Sequence, residues 1–109
     1  MKRVTVDDLP AGPLEAAGIF HQHWLPHIEA LLQAREDVMV TLARADHTHR
    51  EWRRSMAAGL GRAHAPRRIN VVAGEGAALE ACARYLSGAS GVTGQYMESD
   101  GEGAGDPAP

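Results

Sequence analysis

The stretch that most constrains the fold is Ile69 to Ala73, INVVA, which is apolar but for Asn70 and shows no alternation. A strand with one wet face alternates polar and apolar residues, so an unbroken run predicts a strand covered on both faces, as in a parallel sheet. Pro66 precedes the run, and Gly74-Glu75-Gly76 follows it as a tight turn. Beyond the turn, Leu79, Cys82 and Leu86 recur at helical spacing, while Glu80 and Arg84 lie four apart on another face as a favourable pair. Ser87 to Gly91 reads as a helix stop and Val92 to Met97 as the next strand. Strand, helix and strand together make a βαβ crossover.

The chain upstream repeats the alternation. Lys2 to Val6 alternates charged and β-branched residues and predicts a short strand at a sheet edge. Asp7 to Gly12 is a connector, and Pro13 suits the first turn of a helix, where its missing N–H costs nothing. Leu14, Ala17, Phe20, Trp24, Ile28, Leu31 and Leu32 then form a wide apolar face over residues 14–34. Pro26 falls inside that pattern and predicts a kink or break near Gln22 to Leu25. Val38 to Leu42 is a second buried strand. Thr48-His49-Arg50-Glu51 has the spacing of a capping box, which predicts a helix over 49–64 with Trp52, Met56, Leu60 and Ala63 on one stripe. Gly59 and Gly61 weaken that helix unless a neighbour packs closely against them.

Composition sets the remaining bounds. At 109 residues, 44% of them hydrophobic, the chain has enough for one modest core. We assign residues 1–100 to one α/β domain, and the stretch EGAGDPAP places a disordered acidic tail over 101–109. A single cysteine, Cys82, excludes an internal disulfide framework. With no membrane-length apolar run and no signal-peptide core, the expectation is a cytoplasmic protein. The formal charge of −3 is unevenly spread: residues 44–68 carry seven arginines against Asp46 and Glu51, and residues 69–109 carry Arg84 against six acids. Without a lysine patch or an aromatic platform beyond Trp52, the basic helix reads as a solvated face rather than a nucleic-acid surface.

INVVAG, followed by a helix that ends RYLSGASGVTGQYMESDG, resembles the C-terminal part of the short-chain dehydrogenase/reductase family. The matching positions are Asn70, Gly74, Leu86, Ser87, Val92, Thr93, Gly94, Gln95, Asp100 and Gly101, with Ala73 in place of the family proline. Leu25 to Ile28, LPHI, resembles the Leu-Pro step of the family's dimer-forming helix, and DVMVTLA the strand after it. The resemblance implies a small three-layer Rossmann-like domain of four mostly parallel strands, order 1-2-3-4, and three helices. It also implies a left-handed last crossover, with the 77–87 helix on the face opposite the other two. The family's Gly-rich cofactor turn would lie upstream of this stretch. Its catalytic tyrosine and lysine, four residues apart, find no counterpart between Val38 and Pro66, and Lys2 is the sole lysine of the chain. The resemblance therefore implies the fold without the activity, the cofactor or the catalytic residues.

Other chemistry is less supported. His23 and His27 are spaced i, i+4, and His47 and His49 open the next helix, but no Cys joins them at a recognised metal spacing, so the expectation is surface or capping histidines and no metal. Gly74 and Gly76 resemble part of a dinucleotide turn, yet Leu79 stands where the third glycine belongs and Glu75 where a pyrophosphate would sit. The expected function is a non-catalytic module that associates through the 14–34 and 49–64 helices, with Trp24, Ile28, Trp52 and Met56 at a homodimer interface, or that binds a full-length dehydrogenase. The alternatives are a nucleotide or small-molecule sensor using the C-terminal strand ends, and a divergent oxidoreductase subunit.

Overall fold

A computed structural model describes residues 1–99. The two apolar runs form β2 (Val38–Leu42) and β3 (Ile69–Ala73), and every residue of both is buried. They are flanked by β1 (Lys2–Thr5) and β4 (Tyr96–Glu98) in one sheet of order β1-β2-β3-β4, every neighbouring pair parallel. The pleat sends alternate residues to opposite faces. Val38, Val40, Leu42, Ile69 and Val71 pack with Phe20, Ile28, Leu32, Met56 and Leu60 on one face, while Met39 and Val72 pack with Ala83 and Leu86 on the other. The first two crossovers therefore lie on one side of the sheet and α4 (Gly76–Gly88) on the other. With all steps in the same direction across the sheet, the last crossover has the opposite hand to the first two, whose ordinary hand is right. This is the small three-layer Rossmann-like α/β domain that the sequence leads one to expect.

The helix over 14–34 is one rod in three parts. α1 (Pro13–Ile19) starts at Pro13, a π-helical turn spans Phe20–Trp24, and α2 (Leu25–Gln33) follows. The expected break is thus a widened turn: the Leu25 N–H reaches the Phe20 carbonyl, five residues back, just before Pro26, which has no N–H to give. α3 (Arg50–Ala63) is preceded by a 3-10 turn, His47–His49. The cap differs from the expected one. Asp46, two residues earlier than Thr48, accepts from the Thr48 N–H at 2.9 Å and from its hydroxyl, so the charged acceptor replaces the Thr48 capping box.

The strand expected over Val92 to Met97 is confined to its end. Residues 92–95 form a loop tied to β3 by backbone and side chains together. The Gly94 N–H donates to the Ile69 carbonyl at 2.7 Å, and the Gln95 carbonyl accepts from the Val71 N–H at 2.9 Å. Asn70 donates to the Val92 carbonyl at 3.0 Å and accepts from the Gln95 N–H at 3.1 Å, and Thr93 Oγ1 accepts from the Ile69 N–H at 3.0 Å. This is why a polar residue stands in β3: Asn70 is fully buried, and each end of its amide is used. At the same N-terminal edge of the sheet, Arg68 donates to the Leu86 and Ala89 carbonyls at 2.9 and 2.8 Å and to Asp37, closing the C-terminus of α4 against the start of β2. The Arg68 backbone N–H, 2.8 Å from Asp37, is the main cause that holds this carboxyl below its usual pKa. Glu80 takes a partner other than the expected Arg84: its carboxylate accepts from Nη1 and Nη2 of Arg3, at 2.7 and 3.0 Å, which covers β1 on the α4 face. The tail proposed over 101–109, with Asp100, lies outside the described residues.

The two glycines of α3 have different surroundings. Gly59 has no atom within 4 Å of where a Cβ would stand, whereas at Gly61 a Cβ would fall 2.8 Å from the Gly94 Cα. The partner in that close approach is the loop before β4. Gly61→Ala is expected to destabilise the fold by about 1–3 kcal/mol, because backbone must move. Gly18→Ala, in the exposed and uncrowded part of α1, is expected to stabilise it by roughly 0.5–1 kcal/mol. Urea denaturation of both variants measures the two signs.

Candidate functional site

All four strands run the same way, so their C-terminal ends and following loops share one edge, where open α/β sheets form their crevice. Two adjoining cavities open there. One, of about 310 Å³, lies between the loop from Asp7 to Ala11 and the loop from Ala43 to Asp46, with His49 and Arg53 of the next helical segment lining it. The other, of about 320 Å³, is lined by Arg44, Ala45, Arg50, Ala73, Glu98 and Ser99.

Arg53 is the organising side chain. It sits on the inward stripe of α3 with Ala57 and Leu60 and is only 3% exposed. Its Nη1 donates to the Ala43 carbonyl at 2.9 Å, just past the end of β2, and to the Tyr96 hydroxyl at 3.1 Å. The guanidinium carbon lies 5.6 Å from the centre of the Trp52 ring and 5.9 Å from that of Tyr96, in reach of a cation–π attraction to each. Its Nε is buried and has no hydrogen-bond partner among the described residues. The relay continues outward: the Tyr96 hydroxyl donates to Glu98 at 3.3 Å, and Arg50 pairs with Glu98 at 3.1 Å. Burial pushes the Tyr96 phenol above its ordinary pKa, although Arg53 acts in the other direction.

His49 is buried beside this cluster. One ring nitrogen, Nε2, lies 2.9 Å from the Ala11 carbonyl and so carries the proton; the other, Nδ1, accepts from the Trp52 indole N–H at 3.1 Å. Both ring nitrogens are committed to holding α3 against the loop after β1.

A family model described as SDR-like, short chain dehydrogenase-like protein, matches residues 4–99. The chain belongs to that family. No curated protein and no solved structure matches it.

In this short chain dehydrogenase-like fold, the residues singled out from sequence are widely spread. His23, His27 and His47 are exposed, and among the described residues no three His, Cys, Asp or Glu side chains converge as a metal would require. Gly74, with φ at +148°, passes so close to Ser99 that a Cβ would collide with its side chain, and the Ser99 hydroxyl donates to the Ala73 carbonyl at 2.8 Å. Gly76, with φ at +65°, opens α4 behind the exposed Glu75. Of the four residues expected at an interface, Ile28 is fully buried beneath α2 and Met56 nearly so, because both point at the sheet; they have almost no surface to offer. Trp24 and Trp52 are half-buried and do retain surface. No described helix is long and apolar enough to cross a membrane.

Sequence reasoning missed Arg53, Tyr96 and Glu98 as a group. The available signal was an arginine in phase with Ala57 and Leu60, a charge on the face that must point inward. A raised Tyr96 pKa has a defined sign. Its contribution to stability is intact below the unfolded tyrosine value of about 10 and is lost as pH rises through the elevated folded value. In a Tyr85→Phe background, ultraviolet absorbance should show the remaining tyrosine ionising above that value, with stability falling over the same alkaline window; Tyr96→Phe should abolish that fall.

Proposed function

We propose that this domain is a non-catalytic member of its family that works by self-association through the outer faces of its two neighbouring helical rods. The observation that carries the reading is an open groove of about 360 Å³ between α2 and α3, lined by Leu25 and Trp52 together with the nearly buried Met56 and Leu60. Glu29 and Ser55 stand at its polar margin, and Gly59 leaves its floor without a side chain. Trp24, half-buried, lies on the same helical rod. A second copy offering the same helices would fill the groove by an isologous contact. The family resemblance implies association through these same two helices.

The non-catalytic part rests on the tyrosine at the strand ends. Acid–base work by a tyrosine near neutral pH needs a neighbouring cation to bring its pKa down. Tyr96 has the Arg53 guanidinium at hydrogen-bond distance, yet its pKa lies above the ordinary value, and its hydroxyl is engaged by both Arg53 and Glu98.

Native mass at micromolar concentration is expected to give a dimer. Ser55→Arg, an exposed change at the groove margin, should shift it to monomer with an unchanged far-ultraviolet spectrum. A monomeric wild type would defeat the association. NAD(H) and NADP(H) are expected to leave the melting temperature unmoved, since a ligand at about 100 times its dissociation constant would raise stability by about 2.7 kcal/mol. A dose-dependent rise would restore a cofactor role.

A further inference from the structure

We propose that the cavity lined by Arg53 is a binding site for a small zwitterion, a short aliphatic carboxylate that also carries an ammonium group. The site lies at the strand ends, apart from the groove between α2 and α3, and does not depend on self-association.

Arg53 supplies the first observation. It is only 3% exposed, yet among the described residues no carboxylate bonds to it: its two hydrogen bonds, both from Nη1, go to a backbone carbonyl and a phenol. Glu98, an acid bonded to the same Tyr96 hydroxyl, is itself held by Arg50. A buried guanidinium with neutral partners and an unpartnered Nε is an incomplete arrangement, because a desolvated charge is stable only when paired. A planar carboxylate is the complement of its fork.

The cavity supplies the second. Its volume of about 310 Å³ suits a small metabolite, and Val6, Leu9 and Leu42 give it an apolar wall. Its rim carries Asp7 and Asp8, which are exposed and make no ion pair among the described residues. Asp46 is already taken up by Thr48, and Arg44 stands at the boundary with the second cavity. The charge is thus positive at the enclosed side chain and mainly negative at the mouth. A phosphate would be repelled by the rim, and a simple amine would leave Arg53 unanswered. A molecule with a carboxylate at one end and an ammonium at the other meets both.

The test is isothermal titration of the full chain with four probes: L-valine, isovalerate, isobutylamine and inorganic phosphate. Valine is expected to bind, isovalerate several-fold more weakly, and the amine and phosphate not measurably. Asp7→Asn combined with Asp8→Asn should bring valine down to the isovalerate level. Arg53→Lys, which keeps the charge but loses the fork, should weaken valine by about tenfold or more. Should that variant fail to fold, Ala45→Trp decides, because Ala45 is exposed and lines both cavities. Its folded protein is expected to lose valine binding. Absence of valine binding to the wild type, phosphate binding as tight as valine, or valine binding unaltered in Ala45→Trp would each overturn the proposal.

Discussion

The structure depends on the parallel pairing of β2 with β3 in a register that runs from Val38 opposite Ile69 to Leu42 opposite Ala73. Both strands are buried on both faces and mostly apolar, so each face must be covered or the pair would lie open to water. The α1–α2 rod and α3 cover one side and α4 the other. The reversed last crossover follows as a packing requirement: a third helix on the first side would leave Met39 and Val72 bare. Burial on both sides has a polar cost at the strand ends, and three side chains offset it. Asn70 takes up the loop before β4, Arg68 the C-terminal carbonyls of α4, and Arg53 the carbonyl past β2.

These polar struts also mark the limit of what the sequence made legible. The buried strands, the helix positions and the break before Pro26 follow from periodicity and breakers, signals that are local along the chain, while the strand order is implied by the family resemblance. Partner choices are not local. Glu80 had a neighbour four residues away in Arg84 but bonds to Arg3, 77 residues distant in sequence, because the sheet brings β1 under α4. Thr48 and Glu51 had capping-box spacing, yet the Thr48 N–H that Glu51 would receive goes to the carboxylate of Asp46, which also takes the Thr48 hydroxyl. The 92–95 segment has the composition of a strand start and shares two backbone bonds with β3, but the side chains of Asn70 and Thr93 also bond across it and it stays a loop.

The same limit governs the candidate sites. Histidines drew attention as metal ligands because six stand in a short chain, but the ring of His49 is occupied by Ala11 and Trp52, and the exposed ones lie apart. Ile28 and Met56 belong to an apolar stripe wide enough to suggest an interface; a stripe shows that a face is apolar without showing which of its residues reach the surface. Arg53 was legible in principle, as a charge in phase with the buried stripe. Its partners Tyr96 and Ala43 were not, since they are set by the stacking of α3 over the ends of β2 and β4.

α3 ties the two proposed surfaces together through one side chain. Trp52 walls the groove between α2 and α3, donates to His49 at the strand-end cavity, and lies within cation–π distance of Arg53. Its ring also packs against Phe20, 5.5 Å away, at the start of the π-helical turn. A contact made on the groove therefore bears on the residue that orients His49 and shields Arg53, with no intervening loop to absorb it. That continuity is a consequence of the helix carrying an inward arginine next to an outward tryptophan. It makes the strand-end cavity and the helical groove parts of one packed unit.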